Sequence, residues 1–210
     1  MAAGVLVLQY IKEEPTQKEK LAVFLLRNKK NKKYMDGGGM SDGQAPHQAA
    51  SRELLEESVG LIHISAHLLK RQPYVQHKDY RVFVQCIDHP TLLNLNIFYK
   101  NQRILRSKKA PRAFQESDSC TYVFVQQLLK DDLAHQKGDM RTRNYQGENI
   151  QILGRTKACL RKIFIEGDID ATQCIRTPLP VFLLQDTSVL GFSGMQTYTH
   201  RNAEGFQRSF

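Results

Sequence analysis

Two apolar runs near the start of the chain, Gly4 to Ile11 (GVLVLQYI) and Leu21 to Leu26 (LAVFLL), constrain the fold most. They are short, rich in aliphatic and β-branched residues, and joined by the polar KEEPTQKEK, so they read as two strands and a turn. LIHISAHLLKRQPY and DYRVFVQCI read as two further strands, the second supported by alternation at Tyr80, Val82, Val84 and Cys86. TYVFVQQLLKDDLAHQ reads as a strand, Thr121 to Val125, running into a short helix. GRTKACLRKIF reads as a basic amphipathic helix that offers Ala158, Leu160, Ile163 and Phe164 to a core. Strands before and after helices predict an α+β sandwich.

A chain of 210 residues can bury one good core with a modest appendage. The spacing predicts one domain over 1–166, within which 89–113 is a basic insertion or long connection. The remainder, 167–210, is an extension that packs in part on the core and ends in a mobile tail. Cys86, Cys120, Cys159 and Cys174 lie far apart with no Cys-x-x-Cys pair, giving neither a zinc signature nor a disulfide framework. The apolar N-terminus lacks the flanks of a signal peptide, and no run is long enough to cross a bilayer. An intracellular, cytoplasmic protein with reduced thiols is expected.

The formal net charge of +9 favours anionic partners. Nucleic acid, a nucleotide polyphosphate, an inositol polyphosphate, an acidic membrane surface and a merely solvated lysine-rich surface all remain compatible with it. The motifs must discriminate. YMDGGGMSDGQAPHQAASRELLEESVG, Tyr34 to Gly60, places three glycines ahead of a helix that Pro46 opens and Gly60 follows. At about 100° per residue, Glu53, Glu56 and Glu57 share an arc of about 100°, while Ala50 and Leu54 turn to the core. Arg52 is the only basic residue four positions from one of these glutamates, at Glu56, and Glu53 and Glu57, themselves four apart, repel each other. A solvated acidic face is the commonest fate of such residues. The missing countercharge points instead to a hard divalent cation, Mg2+ or Mn2+. The glycines offer positive φ and close backbone approach to a metal or phosphate.

This stretch resembles the Nudix box: Gly, five residues, Glu, seven residues, then Arg-Glu-aliphatic-any-Glu-Glu-any-Gly-aliphatic. Gly38, Arg52, Glu53, Leu54, Glu56 and Glu57 match in register. The resemblance is clear from Tyr34 to Leu61 and weaker over 1–166. It implies a Nudix-type α/β/α sandwich around a mixed β-sheet, and a metal-dependent pyrophosphohydrolase. Glu56 and Glu57 would ligate the metal, Glu53 would ligate it or act as base, Gly38 would lend its carbonyl, and Arg52 would orient the glutamates. Glu116 is the candidate for an additional carboxylate from a later loop. Three departures stand out: Gln44 replaces the first glutamate, Ser58-Val59 supplies one residue too many before Gly60, and Asp36 stands where many members have proline.

Substrate choice in such proteins lies outside the box. A chain without tryptophan lacks the extended signature of the NADH-cleaving members, and the coenzyme A and ADP-ribose signatures are not evident. The basic residues carry the remaining information: Arg27, Lys29, Lys30, Lys32 and Lys33 abut the glycines, and Arg103, Arg106, Lys108, Lys109 and Arg112 follow Phe98 and Tyr99. Cations mixed with aromatics suit phosphates plus a stacked base. The expectation is hydrolysis of a dinucleoside polyphosphate or capped RNA. A diphosphoinositol polyphosphate is the variant suggested by DGGGM, and a non-catalytic module that binds RNA or protein is the alternative of a different class.

Overall fold

A computed structural model of the chain describes residues 1–13, 18–88, 93–107, 111–135, 137–169 and 176–178. In chain order its elements are β1 (Ala2–Glu13), β2 (Lys18–Asn28), β3 (Tyr34–Met35), β4 (Gly37–Met40), α1 (Pro46–Glu57), α2 (Ala66–Leu69), β5 (Tyr74–His77) and β6 (Tyr80–Asp88). There follow α3 (Asn96–Ser107), a 3-10 turn (Arg112–Gln115), β7 (Ser117–Phe124), α4 (Val125–Lys130), β8 (Met140–Arg143), β9 (Asn149–Ile152), α5 (Gly154–Phe164) and β10 (Arg176–Pro178).

The apolar run of β1 is continuous because the strand is buried on both faces. Val5 and Val7 point into one cluster with Ala50 and Leu54 of α1 and Phe98 and Leu105 of α3. Leu6 and Leu8 point into the other, with Leu128 of α4 and Cys159, Leu160 and Ile163 of α5. Helices therefore cover both faces of one mixed sheet, the α+β sandwich that the strand and helix order predicts, in the α/β/α layering that the resemblance implies. On one edge β1 runs parallel to β6, Leu6 opposite Val84. Its other edge is shared: Val7 faces Phe24 of β2, and Gly4 faces Gly38 of β4. This sharing brings the glycine strand under α1.

Several elements differ from the sequence expectation. LIHISAHLLKRQPY is not one strand: the Ser65 side chain accepts from the Leu68 N–H and caps α2, leaving only Tyr74–His77 to pair with β6. The segment read as an insertion or connection contains α3, whose Phe98, Asn101, Gln102 and Leu105 are buried. The hairpin of β8 and β9 carries an Asn turn, with Asn144 Oδ1 accepting from the N–H groups of Gln146 and Glu148 at 3.0 and 2.9 Å. In α5 the buried residues include Thr156 and Cys159, with Ala158 and Phe164 half-buried. Cys86, Cys120 and Cys159 are buried and form no disulfide with one another. The turn between the first two strands, Cys174 and most of the C-terminal extension lie outside the described residues. No helix among the described residues is long and apolar enough to cross a membrane.

The residue by which the stretch exceeds the Nudix-box spacing lies in a turn at the end of α1. The Gly60 N–H donates to the Leu55 carbonyl at 2.8 Å and the Val59 N–H to Glu56 at 3.1 Å, the two bonds of a Schellman ending. The left-handed slot just past the Ser58 cap, where glycine is usual, is taken by Val59 with φ 57°. A β-branched residue is strained there. Its side chain is fully buried, and its carbonyl accepts from Asn101 Nδ2 of α3 at 3.0 Å. Asn101→Ala would leave that carbonyl unpaired in the core at a cost of about 1–3 kcal/mol, read as a lower urea midpoint with an unchanged slope.

Candidate active site

Arg52 is the centre of the site. Its Nη2 lies 2.8 Å from Glu53 Oε1 and its Nη1 2.9 Å from Glu56 Oε2. It also donates from Nε to Gln44 Oε1 at 3.1 Å and from Nη2 to the Met40 carbonyl at 3.3 Å. One planar guanidinium thus ties β4, the following loop and α1 together, which a single point charge could not do. Gln44 keeps the acceptor but not the charge. Asp42, largely exposed and 3.5 Å from Arg52 Nη2, returns only a weak, screened part of it.

Glu57 lies apart from Arg52. It is 3% exposed, and its Oε2 accepts from the Gly38 N–H at 2.8 Å. Burial pushes its carboxyl well above the ordinary range; Glu53, Asp36 and Glu116 add to this, and the Gly38 hydrogen bond opposes it. Burial likewise raises Glu53 and Glu56, against the pull of Arg52, and the Glu116 charge adds to both. Glu116 caps the 3-10 turn, and its negative charge bears on all three helix glutamates. Arg52 therefore gathers Glu53 and Glu56, and Glu57 lies on the Gly38 N–H of the adjoining strand, with Glu116 near enough for its charge to be felt by all three glutamates.

The glycines are there for space, not for positive φ, which none of the three adopts. A Cβ on Gly37 would meet Leu54 Cδ1 at 2.8 Å. On Gly38 it would meet the Gly4 Cα at 2.5 Å, the Ala3 carbonyl at 2.7 Å and the Tyr80 hydroxyl, and on Gly39 the Glu53 Oε2 at 2.6 Å. The first and third keep α1 close, and the second keeps β4 close to β1. Two alanine substitutions should therefore part company. Gly38→Ala collides with backbone and should cost about 1–3 kcal/mol or more of stability. Gly39→Ala meets only the Glu53 carboxylate at the end of a flexible side chain, so its melting temperature should move little.

Beneath β4 lies a polar group the sequence did not disclose. Asp36, 1% exposed, accepts from the Tyr80 hydroxyl and, at 2.5 Å, from Thr156 Oγ1. The Arg155 guanidinium sits 3.8 Å from the centre of the Tyr80 ring. Burial and the Asp36 charge push the Tyr80 hydroxyl well above its ordinary range. Only the unusual Asp36 marked this place in the sequence.

The basic residues are less uniform than their spacing suggests. Arg27 Nε and Lys32 Nζ both pair with Asp118, at 2.7 and 2.5 Å, and Lys33 pairs with Asp139 at 2.5 Å. Lys29 and Lys30 are exposed at the turn, and the Lys29 N–H donates to the Glu116 carbonyl at 2.8 Å, which places this turn beside Glu116. Arg103 and Arg106 are exposed on α3. Phe98 is fully buried and cannot stack on a base; Tyr99 is half-buried with its hydroxyl 3.0 Å from Ser119 Oγ. Lys108 and Lys109 lie outside the described residues.

Among the described residues no group of three or more His, Cys, Asp or Glu side chains is arranged, as it stands, to hold a metal ion. Glu53 and Glu56 are closed on Arg52 instead. The donor set still fits a hard divalent cation once those two carboxylates turn: all its donors are oxygens, and burial together with mutual repulsion disfavours their charge.

No protein-family profile matches the chain, and no curated protein matches it. Solved structures similar to it include a C. elegans Ap4A hydrolase binary complex, at 14% identity and TM-score 0.37, over 62% of this chain and 84% of that one. A mutT/nudix family protein from Listeria innocua gives 13% and 0.41, over 80% and 92% of the two chains. A MutT/nudix family protein from Enterococcus faecalis gives 11% and 0.38, over 72% and 51%. At these values the similarity is one of backbone course alone.

Proposed function

We propose that the chain is a divalent-metal-dependent pyrophosphohydrolase that cleaves a diphosphate linkage in a phosphate-rich nucleotide-type substrate, a dinucleoside polyphosphate or capped RNA. The observation that carries this reading is the charge imbalance around Arg52: one guanidinium serves Glu53 and Glu56, while Glu57 is buried against a backbone N–H and Glu116 adds a further negative charge. Such an arrangement costs stability unless a cation relieves it. Glu53, Glu56 and Glu57, with the Gly38 carbonyl, would hold Mg2+ or Mn2+. That ion would supply charge neutralisation on the phosphates and activation of water for in-line attack. Arg52 keeps Glu53 and Glu56 on one face of α1. Glu53, whose carboxylate lies against Gly39, or Glu116 takes the proton of the attacking water. Lys29 and Lys30, beside Glu116, draw in the polyphosphate.

A second reading, a non-catalytic module that binds RNA or protein, is favoured by the closure of Arg52 on two of the glutamates and by the uncharged Gln44. The test is incubation with Mg2+ or Mn2+ and a panel of capped RNA, dinucleoside polyphosphates, ADP-ribose, nucleoside triphosphates and diphosphoinositol polyphosphates, beside Glu56→Gln. Turnover of the capped or dinucleoside substrates, lost in the variant by a factor of about 100 or more, is the expected result. No turnover of any substrate, or an equally active variant, sinks the catalytic reading. Salt-sensitive RNA binding without turnover supports the module.

A further inference from the structure

The hydrogen bond that holds Glu57, from the Gly38 N–H, depends on where the β4 backbone sits, and that backbone is braced from the opposite layer of the sandwich. The Tyr80 hydroxyl occupies the space where Gly4 and Gly38 lack side chains, so it touches the glycine strand directly. It donates to Asp36 Oδ2, two residues before Gly38. Asp36 is fixed at its other oxygen by Thr156 Oγ1 at 2.5 Å, and the Asp36 N–H donates to the same hydroxyl oxygen at 3.3 Å. Thr156 belongs to the first turn of α5, and Arg155 beside it lies over the Tyr80 ring at 3.8 Å. Asp36, Tyr80 and Thr156 are buried and Arg155 is half-buried, and the helix N-terminus favours the Asp36 carboxylate. The positions along the chain are distant, 44 residues from Asp36 to Tyr80 and 120 to Thr156, so only the folded protein assembles them.

We propose that Tyr80, Asp36 and Thr156 are positioning residues that hold the Gly38 N–H on Glu57, transmitting the seat of α5 to the carboxylate site through the β4 backbone. The inference rests on the reading of Glu57 as a site residue, yet its geometry can be tested without turnover. Tyr80→Phe removes the hydroxyl and keeps the ring under Arg155. Asp36→Asn retains a carbonyl acceptor for Tyr80 and an amide that can donate to Thr156, whereas Asp36→Ala retains neither.

The measurement is amide hydrogen exchange of the full chain by NMR, with the Val7 and Phe24 amides of the β1–β2 ladder as the internal standard for global stability. Exchange at Gly38 should quicken by about tenfold or more relative to that standard in Tyr80→Phe and Asp36→Ala, and by less than about threefold in Asp36→Asn. A merely structural role would speed all of these amides together. Exchange at Gly38 that tracks the standard in Tyr80→Phe and Asp36→Ala overturns the proposal. In the turnover assay the same two variants should lower kcat by about tenfold with KM changed less than about threefold, and Asp36→Asn should restore most of it. Should the unmodified protein cleave nothing while the Gly38 amide responds as expected, the hydrolase reading fails and the positioning network stands.

Discussion

Glu57→Gln should melt at a higher temperature than the unmodified protein when divalent metal is absent. The amide oxygen can still accept the Gly38 N–H, so the hydrogen bond at 2.8 Å survives, while a carboxylate that burial and the charges of Glu53, Asp36 and Glu116 all disfavour is removed. The gain should be on the order of 1–2 kcal/mol, a few degrees for a protein of this size. The pH dependence has a definite sign. Glu57 has a native value raised above the ordinary 4.5, so between those two values the native state holds a proton that the unfolded chain has released, and stability falls as pH rises through the window. Glutamine flattens that slope. Added Mg2+ should raise the melting temperature of the unmodified protein, reversing the order of the two, and should leave the variant nearly unmoved. Turnover in the variant should fall by about 100-fold or more. A Glu57→Gln protein that melts lower without metal, or that responds to Mg2+ as the unmodified protein does, contradicts the assignment.

Arg52→Ala should act in the opposite direction. It strips the partner from Glu53 and Glu56, at 2.8 and 2.9 Å, and from Gln44 and the Met40 carbonyl. The Arg52 side chain is 31% exposed and Gln44 is exposed, so solvent softens the loss to about 1–3 kcal/mol in the absence of metal. Mg2+ should restore more stability in this variant than in the unmodified protein, since the cation then answers carboxylates that nothing else answers. Arg52→Lys separates charge from shape: the ammonium keeps the charge but cannot span four acceptors in one plane. Melting should recover in part, with kcat still lower by about tenfold or more. An Arg52→Lys protein with unchanged kcat would show that the fork plays no part in arranging the glutamates.

The face that Glu53, Glu56 and Glu57 share could be read from the sequence because helix periodicity is local. The strands β1 and β2 could be read because burial on both faces leaves continuous apolar runs, and β6 because its apolar residues alternate along the chain. What escaped has a physical reason in each case. The glycines looked like sites of unusual φ, but their meaning lies in what approaches them, and Gly4, Tyr80, Leu54 and Glu53 come from elsewhere in the chain. The basic run looked uniform, but Asp118 and Asp139, supplied by the β7 strand and the segment before β8, take up Arg27, Lys32 and Lys33. Phe98 looked available to a base because it stands among cations, yet α3 turns it into the core. The Asp36, Tyr80 and Thr156 cluster has no local pattern at all.

The ending of α1 bears on how such sites drift between sequences. Pro46 sets the phase of the helix, so Glu53, Glu56 and Glu57 keep their common face whatever follows them. The residue by which the stretch exceeds the Nudix-box spacing falls where the chain leaves the helix, at Val59, whose side chain is buried and whose carbonyl accepts from Asn101. One codon gained or lost at that point alters a spacing without altering a surface. A pattern that counts residues from the last glutamate to the glycine is therefore stricter than the geometry it stands for.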